Sequence, residues 1–193
     1  MSSYLSAAFT RIAATWPWYI VRGAGFVAVL LIFLLMLSGI GQVTGHMYRL
    51  FEPSKAWAIH RALAIALCFS IAIHVLFLLL DHTLSFSLPQ LFIPFISHYK
   101  SFWVGLGVLS MYFVAIIVAS SLNWIDTKKG VWKNLHFTSY LVLVLVYFHA
   151  LYTGTDLAYG AFRAIWIAIG VVMLLAVVLR LWRSGTLVKK PKS

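Results

Sequence analysis

The chain is poor in acid and almost without sulfur nucleophiles. Its 193 residues include four acidic side chains, Glu52, Asp81, Asp126 and Asp156, and one cysteine, Cys68. A lone cysteine excludes an internal disulfide, a zinc-knuckle spacing and the C-x-x-C-H motif of covalent haem attachment. Charged residues make up only 10% of the chain, against 63% hydrophobic, with a mean hydropathy of +0.96. A soluble domain carries about 25% charge and about 45–50% apolar residues, so a sizeable soluble mass is excluded. A phosphate-cradling glycine motif is also missing. Gly23-Ala24-Gly25 and Gly105-Leu106-Gly107 lie inside apolar runs with no following G-x-x-G. Neither reads as a Rossmann or P-loop turn, and no flavin or nicotinamide site is expected. Small residues there leave room for close helix approach or for a flat cofactor.

What the chain does have is long apolar runs. Five stretches reach the roughly 20 residues that span a bilayer: Tyr19–Val43, Ala56–Leu80, Phe102–Leu122, Leu135–Thr153 and Phe162–Trp182. Lipid offers no partner to unpaired backbone groups, so each run is expected to be a helix. The fold class is all-α, an integral membrane bundle of about five transmembrane helices. The organisation is an interfacial segment over 1–18, the membrane domain over 19–182 and a basic tail over 183–193. The first run is too long for a cleaved signal peptide.

The net charge of +11 is unevenly placed. One side of the bundle collects Arg49, Lys55, Arg61, Lys128, Lys129, Lys133, Arg180, Arg183, Lys189, Lys190 and Lys192; the other collects Arg11, Arg22, Lys100 and Arg163. Basic residues mark cytoplasmic loops. The expected setting is a multi-pass cell membrane protein, N-terminus outside and C-terminus cytoplasmic. The tail reads as a topology signal against anionic lipid, and no nucleic-acid binding is expected. The segment from Ser38 to Gly45 is expected to break the first span, and Pro53 to start the second. The longest outer loop, Asp81–Ser101, is rich in apolar residues and is expected either to anchor in the interface or to fold over the bundle as a lid.

Inside these spans sit four histidines. His60 and His74 lie fourteen residues apart, His136 and His149 thirteen. Polar side chains within a membrane are costly and mark functional sites by default. Spans two and four run in the same direction, so at about 1.5 Å per residue His60 lies level with His136, and His74 level with His149, about 20 Å further on. Imidazoles on both faces of a haem iron would make each pair an axial ligand set. Such iron has no open position and carries electrons. Fourteen residues turn a helix by a net of about −40°, but thirteen by about −140°. Ligation by both His136 and His149 therefore predicts an irregularity between Phe137 and Phe148. His46, His82 and His98 fall at span ends and loops, where an interfacial role or, on the outer loop, metal entry is open. Phe69, Tyr140, Tyr147 and Phe148 on the histidine helices suggest core packing or stacking on the cofactor.

His60-Arg61-Ala62-Leu63-Ala64 with His74-Val75-Leu76 resembles the ferric reductase-like transmembrane domain superfamily. So does Leu135-His136-Phe137-Thr138-Ser139-Tyr140 followed by His149 through Asp156. Trp18 through Gly25 is similar to the first helix of small bacterial members. That superfamily includes ferric reductases, the membrane core of NADPH oxidases and the haem subunit of methionine sulfoxide reductase systems. The unequal histidine intervals match it too. The resemblance implies two non-covalent, bis-histidine b-type haems, with His60 and His136 on the cytoplasmic side and His74 and His149 on the outer. It implies electron flow from a cytoplasmic-side donor to ferric iron, oxygen or a periplasmic redox partner. The large members' flavin and nicotinamide domain and one further N-terminal helix have no counterpart here, so the donor is a separate flavoprotein or quinol. Arg22 would meet a propionate or an acceptor, or snorkel to the interface; Arg61 would pair with a propionate or anchor the cytoplasmic face. Thr155 and Asp156 would shape the outer cofactor edge or simply form a turn. A quinol-oxidising subunit of a larger complex and a haem-free structural subunit are the alternatives.

Overall fold

The computed structural model describes residues 2–158 and 160–188, with side chains over 15–158 and 160–182. Every regular element among them is helical: α1 (Ser2–Val43), α2 (Pro53–Leu80), the short α3 (Leu88–Phe92), α4 (Ser101–Asn123), α5 (Lys129–Phe137), α6 (Ser139–Thr153) and α7 (Gly160–Val188). Single 3-10 turns, Met47–Arg49 and Thr155–Leu157, precede α2 and α7.

Five stretches are long and apolar enough to cross a membrane: Thr15–Val43, Pro53–Leu80, Ser101–Asn123, Lys129–Thr153 and Gly160–Trp182. They coincide with the five expected runs. The fourth starts six residues earlier than hydropathy suggests, because the polar α5 leads into it. Helix α1 continues through Pro17, and α7 runs past Trp182 to Val188. Lys189, Lys190 and Lys192 lie outside the described residues, as do the side chains of Arg11 and Arg183.

The first span ends at Val43, inside the expected segment Ser38–Gly45 and towards its far end. The helix carries on through Gly41 to Val43, and the chain turns only at Gly45, with φ +79°. The earlier glycines serve packing instead. A Cβ on Gly39 would stand 3.6 Å from the His60 ring, and one on Gly41 3.4 Å from Met47. Pro53 opens α2, where its missing N–H is no loss.

Helix α1 is the hub, packing on α2, α6 and α7, while α4 packs on α5 and α6. The core is a thin seam: Val29, Ile32, Phe33 and Met36 of α1 meet Leu67, Val114, Val142, Val146, Trp166 and Met173 from the other helices. Most remaining apolar side chains point outward. Phe69 is 67% exposed and Leu174 62%. A bundle that is apolar outside as well as inside suits a lipid surround.

Candidate functional site

Three of the four histidines are held by the helix packed beside them. On α2, His74 Nδ1 lies 2.8 Å from the Val21 carbonyl of α1, and on α6, His149 Nδ1 lies 2.9 Å from the Trp103 carbonyl of α4. A carbonyl only accepts, so both Nδ1 atoms carry the proton and each Nε2 keeps a free lone pair. His60 Nδ1 lies 2.8 Å from Ser38 Oγ, whose own proton goes to the Leu35 carbonyl at 2.9 Å. His60 is thereby the donor in that contact, and its Nε2 is free as well. Orientation of a ligating imidazole by a hydrogen bond at its other nitrogen is the usual arrangement in metal sites. His136 differs: its Nδ1 is buried and has no partner.

Glycines clear the space around these rings. A Cβ on Gly25 would stand 3.2 Å from the His74 ring, and one on Gly107 only 2.6 Å from that of His149. The interval from Gly25 to Gly39 equals that from His74 back to His60, so α1 and α2 stay in antiparallel register over both histidines. Of the two small-residue motifs, only the second glycine of each faces a histidine. Gly23 faces open space and Gly105 lies under the Phe95 ring.

Two of the four rings stand side by side, and the other two share a cavity. The His60 and His136 rings stand 6.1 Å apart between centroids, tilted by 47°. His74 and His149 both line a cavity of about 1300 Å³, its open mouth included, together with Gly25 and Gly107. The thirteen-residue interval is accommodated by a break at Thr138, between α5 and α6 and inside the expected range. There the Thr138 N–H bonds to the Leu135 carbonyl at 3.0 Å, a tightened turn, and its hydroxyl caps the same carbonyl at 2.6 Å. The irregularity is a helix junction rather than a π-bulge.

The loop between α2 and α4 is a lid on this cavity, with Leu84, Phe86, Leu91 and Tyr99 in its wall. Ser87 and Gln90 form a capping box at α3. The Gln90 amide donates to His98 Nδ1 at 2.9 Å, and His98 Nε2 donates to the Leu84 carbonyl at 2.9 Å. Both nitrogens of His98 are thus engaged, which leaves no free one for metal entry. Tyr99 and Lys100 pin the lid to the end of α6 through the Thr153 and Tyr152 carbonyls, at 3.4 and 2.6 Å. Ser85, Phe95 and Lys100, the non-glycine residues at positive φ among those described, all lie in this loop. Each costs about 1–2 kcal/mol of backbone strain, held by these ties.

The arginines find protein partners. Arg22 makes a bidentate ion pair with Asp156 in the turn after α6, its Nε 2.8 Å from Oδ2, and leans on the Tyr19 ring. Arg61 stacks over Trp57. Thr155 and Asp156 line the cavity as well as forming the expected turn. Phe69 and Phe148 are exposed, at 67% and 40%, so neither packs in the core. Tyr147 stacks on Trp166 at 5.7 Å, and Trp166 presents a buried indole N–H without a partner while lining the cavity. Sequence reading missed Trp166, Ser38 and the two backbone carbonyls, since none has a local signature.

The donor set bears on which metal group could fit. No cluster of three or more His, Cys, Asp or Glu side chains occurs among the described residues, so a tetrahedral protein-only centre has no ligands here. Two opposed imidazoles suit a metal whose equatorial positions are filled by a macrocycle. Two metal–nitrogen bonds of about 2.1 Å, plus the ring radii, put such centroids about 6 Å apart, close to the His60–His136 spacing. The features that bear on such a group are the ring spacing at one level and the cavity at the other. Comparison of the chain with models of known protein families, with curated proteins and with solved structures finds no match.

Proposed function

We propose that the chain is a transmembrane di-haem cytochrome b of the ferric reductase-like kind, moving electrons across the bilayer from a cytoplasmic-side flavoprotein or quinol to an acceptor outside. The observation that carries this reading is the pairing of His60 with His136 and of His74 with His149, with Nε2 left free on the three whose Nδ1 is hydrogen-bonded. Bound haem would supply a one-electron iron couple.

The chain's residues do the rest. His60 with His136, and His74 with His149, would hold the iron through their ring nitrogens. Val21, Trp103 and Ser38 fix ring direction. Gly25 and Gly107 let the helix backbones approach where a methyl group would collide. The lid residues Leu84, Phe86 and Leu91 keep water from the cavity at the end away from the basic loops. Arg22 and Asp156 place a neutral ion pair on its edge, and the Trp166 N–H offers a donor to a polar cofactor edge. Basic residues Lys55, Lys128, Lys129 and Lys133 gather at the His60–His136 end, which supports setting that end in the cytoplasm.

The test is a dithionite-reduced visible spectrum and haem quantitation on the purified full chain. Two haems per chain with b-type bands are expected. A folded protein without those bands would end the cytochrome reading and leave the structural-subunit alternative.

A further inference from the structure

Within the lid, His98 joins α3 to the chain that precedes it, and the sense of each hydrogen bond in that tie is fixed from its two ends. The Ser87 N–H can only donate, and it meets Gln90 Oε1 at 3.0 Å. The Gln90 amide nitrogen is therefore the group turned to His98 Nδ1, at 2.9 Å. At the other end the Leu84 carbonyl can only accept, and it lies 2.9 Å from His98 Nε2. Nδ1 is thus an acceptor and Nε2 a donor. Only the neutral ring satisfies both. The Leu84 N–H carries the chain of bonds on to Asp81 Oδ2 at 2.9 Å.

We propose that His98 is a proton-operated latch, which holds the lid over the His74–His149 cavity when neutral and releases it when protonated. A second ring proton would point at the Gln90 NH2 group, donor against donor. Turning the Gln90 amide over relieves that clash, but it sets the NH2 group against the Ser87 N–H and undoes the capping box of α3. The disturbance reaches Leu91 of α3 and Phe86, whose ring packs on His98 at 5.6 Å between centroids; both are cavity wall. No acid stands ready to take up the new charge, since the ion pairs among the described residues are Arg22–Asp156 and Lys55–Glu52. The other titratable groups around the lid are engaged elsewhere or face solvent. Asp81 serves Leu84, Tyr99 and Lys100 reach the carbonyls of Thr153 and Tyr152, and His82 is exposed. From the packed helices, Tyr112 of α4 donates to the Phe92 carbonyl and Tyr152 of α6 stacks on Trp103. His98 is itself exposed, so protons reach it from water. Strain favours release, because Ser85, Phe95 and Lys100 sit at positive φ on either side of the tie.

The open lid binds one proton more than the closed one. Closure therefore strengthens as pH rises and weakens as pH falls through the range in which imidazole charges, about pH 5–8. The test is hydrogen exchange read by mass spectrometry on the full chain in nanodiscs of zwitterionic lipid. Amide protection over residues 84–98 is followed after correction for the intrinsic pH dependence of exchange. In the wild type it should fall between about pH 8 and about pH 5, by at most about tenfold per pH unit for a single proton. Gln90→Glu should reverse that sign. Its carboxylate still accepts the Ser87 N–H and now pairs with a protonated His98, so protection should rise as pH falls. His98→Ala should leave the lid weakly protected at every pH. Wild-type protection indifferent to pH, or a pH response kept in His98→Ala, would overturn the proposal. So would a fall of unchanged sign in Gln90→Glu, which would move the titrating group to Asp81. The latch and its readout require no haem, so failure of the cytochrome reading leaves them standing, and their failure leaves that reading standing.

Discussion

Two helix pairs carry the four histidines, and they solve one problem differently. In the first pair, α1 against α2, the histidine helix is unbroken and its fourteen-residue interval returns both rings to one face. Glycines at the same interval on α1 stand opposite both rings, and both rings are hydrogen-bonded. In the second pair, α4 against α5 and α6, the interval is thirteen, and the chain corrects direction with the junction at Thr138. Only His149 there has a glycine opposite it and an anchored Nδ1. Thirteen residues along α4 from Gly107 comes Ser120, buried, with its hydroxyl donating to the Ile117 carbonyl at 3.0 Å. Ser38 makes the same bond to Leu35, yet also reaches His60. The first pair is a continuous register; the second is broken at a junction, with His136 less constrained.

The largest expected effect comes from making the intervals equal. One alanine inserted after Thr138 gives fourteen residues between His136 and His149, but turns everything beyond the junction by about 100°. His149 then leaves the cavity and the Trp103 carbonyl. On the proposed di-haem reading, haem content should fall from two to about one per chain, matching His149→Ala and His74→Ala, with the His60–His136 spectrum retained. Loss of both haems from a folded insertion variant would show that the two levels do not form independently.

How far the sequence reached follows the same contrast. The five spans, the histidine pairs and a break in the thirteen-residue interval were readable because hydropathy and helical period are local signals. The break's position and form were not, since Thr138 is an ordinary helix residue and only the fixed faces of α4 and α6 select it. Gly25 and Gly107 stood out as small residues, but which glycine in each motif meets a histidine depends on helix register. The partner of Arg22 lies 134 residues away in the chain, and a backbone carbonyl that anchors a ring has no sequence signature at all. Nor could span hydropathy tell Phe69, which faces outward, from a core aromatic.

Glycine replacements grade the tightness of the two pairs. Gly107→Ala places a Cβ 2.6 Å from the His149 ring, Gly25→Ala one at 3.2 Å from His74, and Gly39→Ala one at 3.6 Å from His60. Overpacking costs about 1–3 kcal/mol, while alanine gains up to about 1 kcal/mol of helix propensity over glycine. Gly107→Ala should therefore lower thermal stability and lid-end haem occupancy, Gly25→Ala should be mildly adverse, and Gly39→Ala neutral or stabilising. Thermal melts with haem quantitation decide the order, and a reversed ranking would contradict the register described. Arg22 and Asp156, which tie α1 to the turn after α6, are expected to couple by about 1–2 kcal/mol in a double-mutant cycle, their side chains being 32% and 26% exposed.

The smallest effect should be the most specific. Ser38→Ala removes one hydroxyl, leaves helix α1 intact and makes His60 like His136, a buried imidazole without a hydrogen bond at Nδ1. Outer hydrogen bonds of this kind are worth about 10–100-fold in metal affinity, and a less basic imidazole stabilises ferric iron less. Affinity for the haem at the His60–His136 level should fall and its midpoint potential should rise, while the His74–His149 haem keeps its potential, since its anchors are backbone carbonyls that no side-chain change removes. Redox titration with resolved haem bands measures both at once. Ser120→Ala is the matched control: its hydroxyl bonds only within α4, so it should leave both potentials where they are, and a shift equal to that of Ser38→Ala would mean that the second pair anchors His136 after all once its haem is bound.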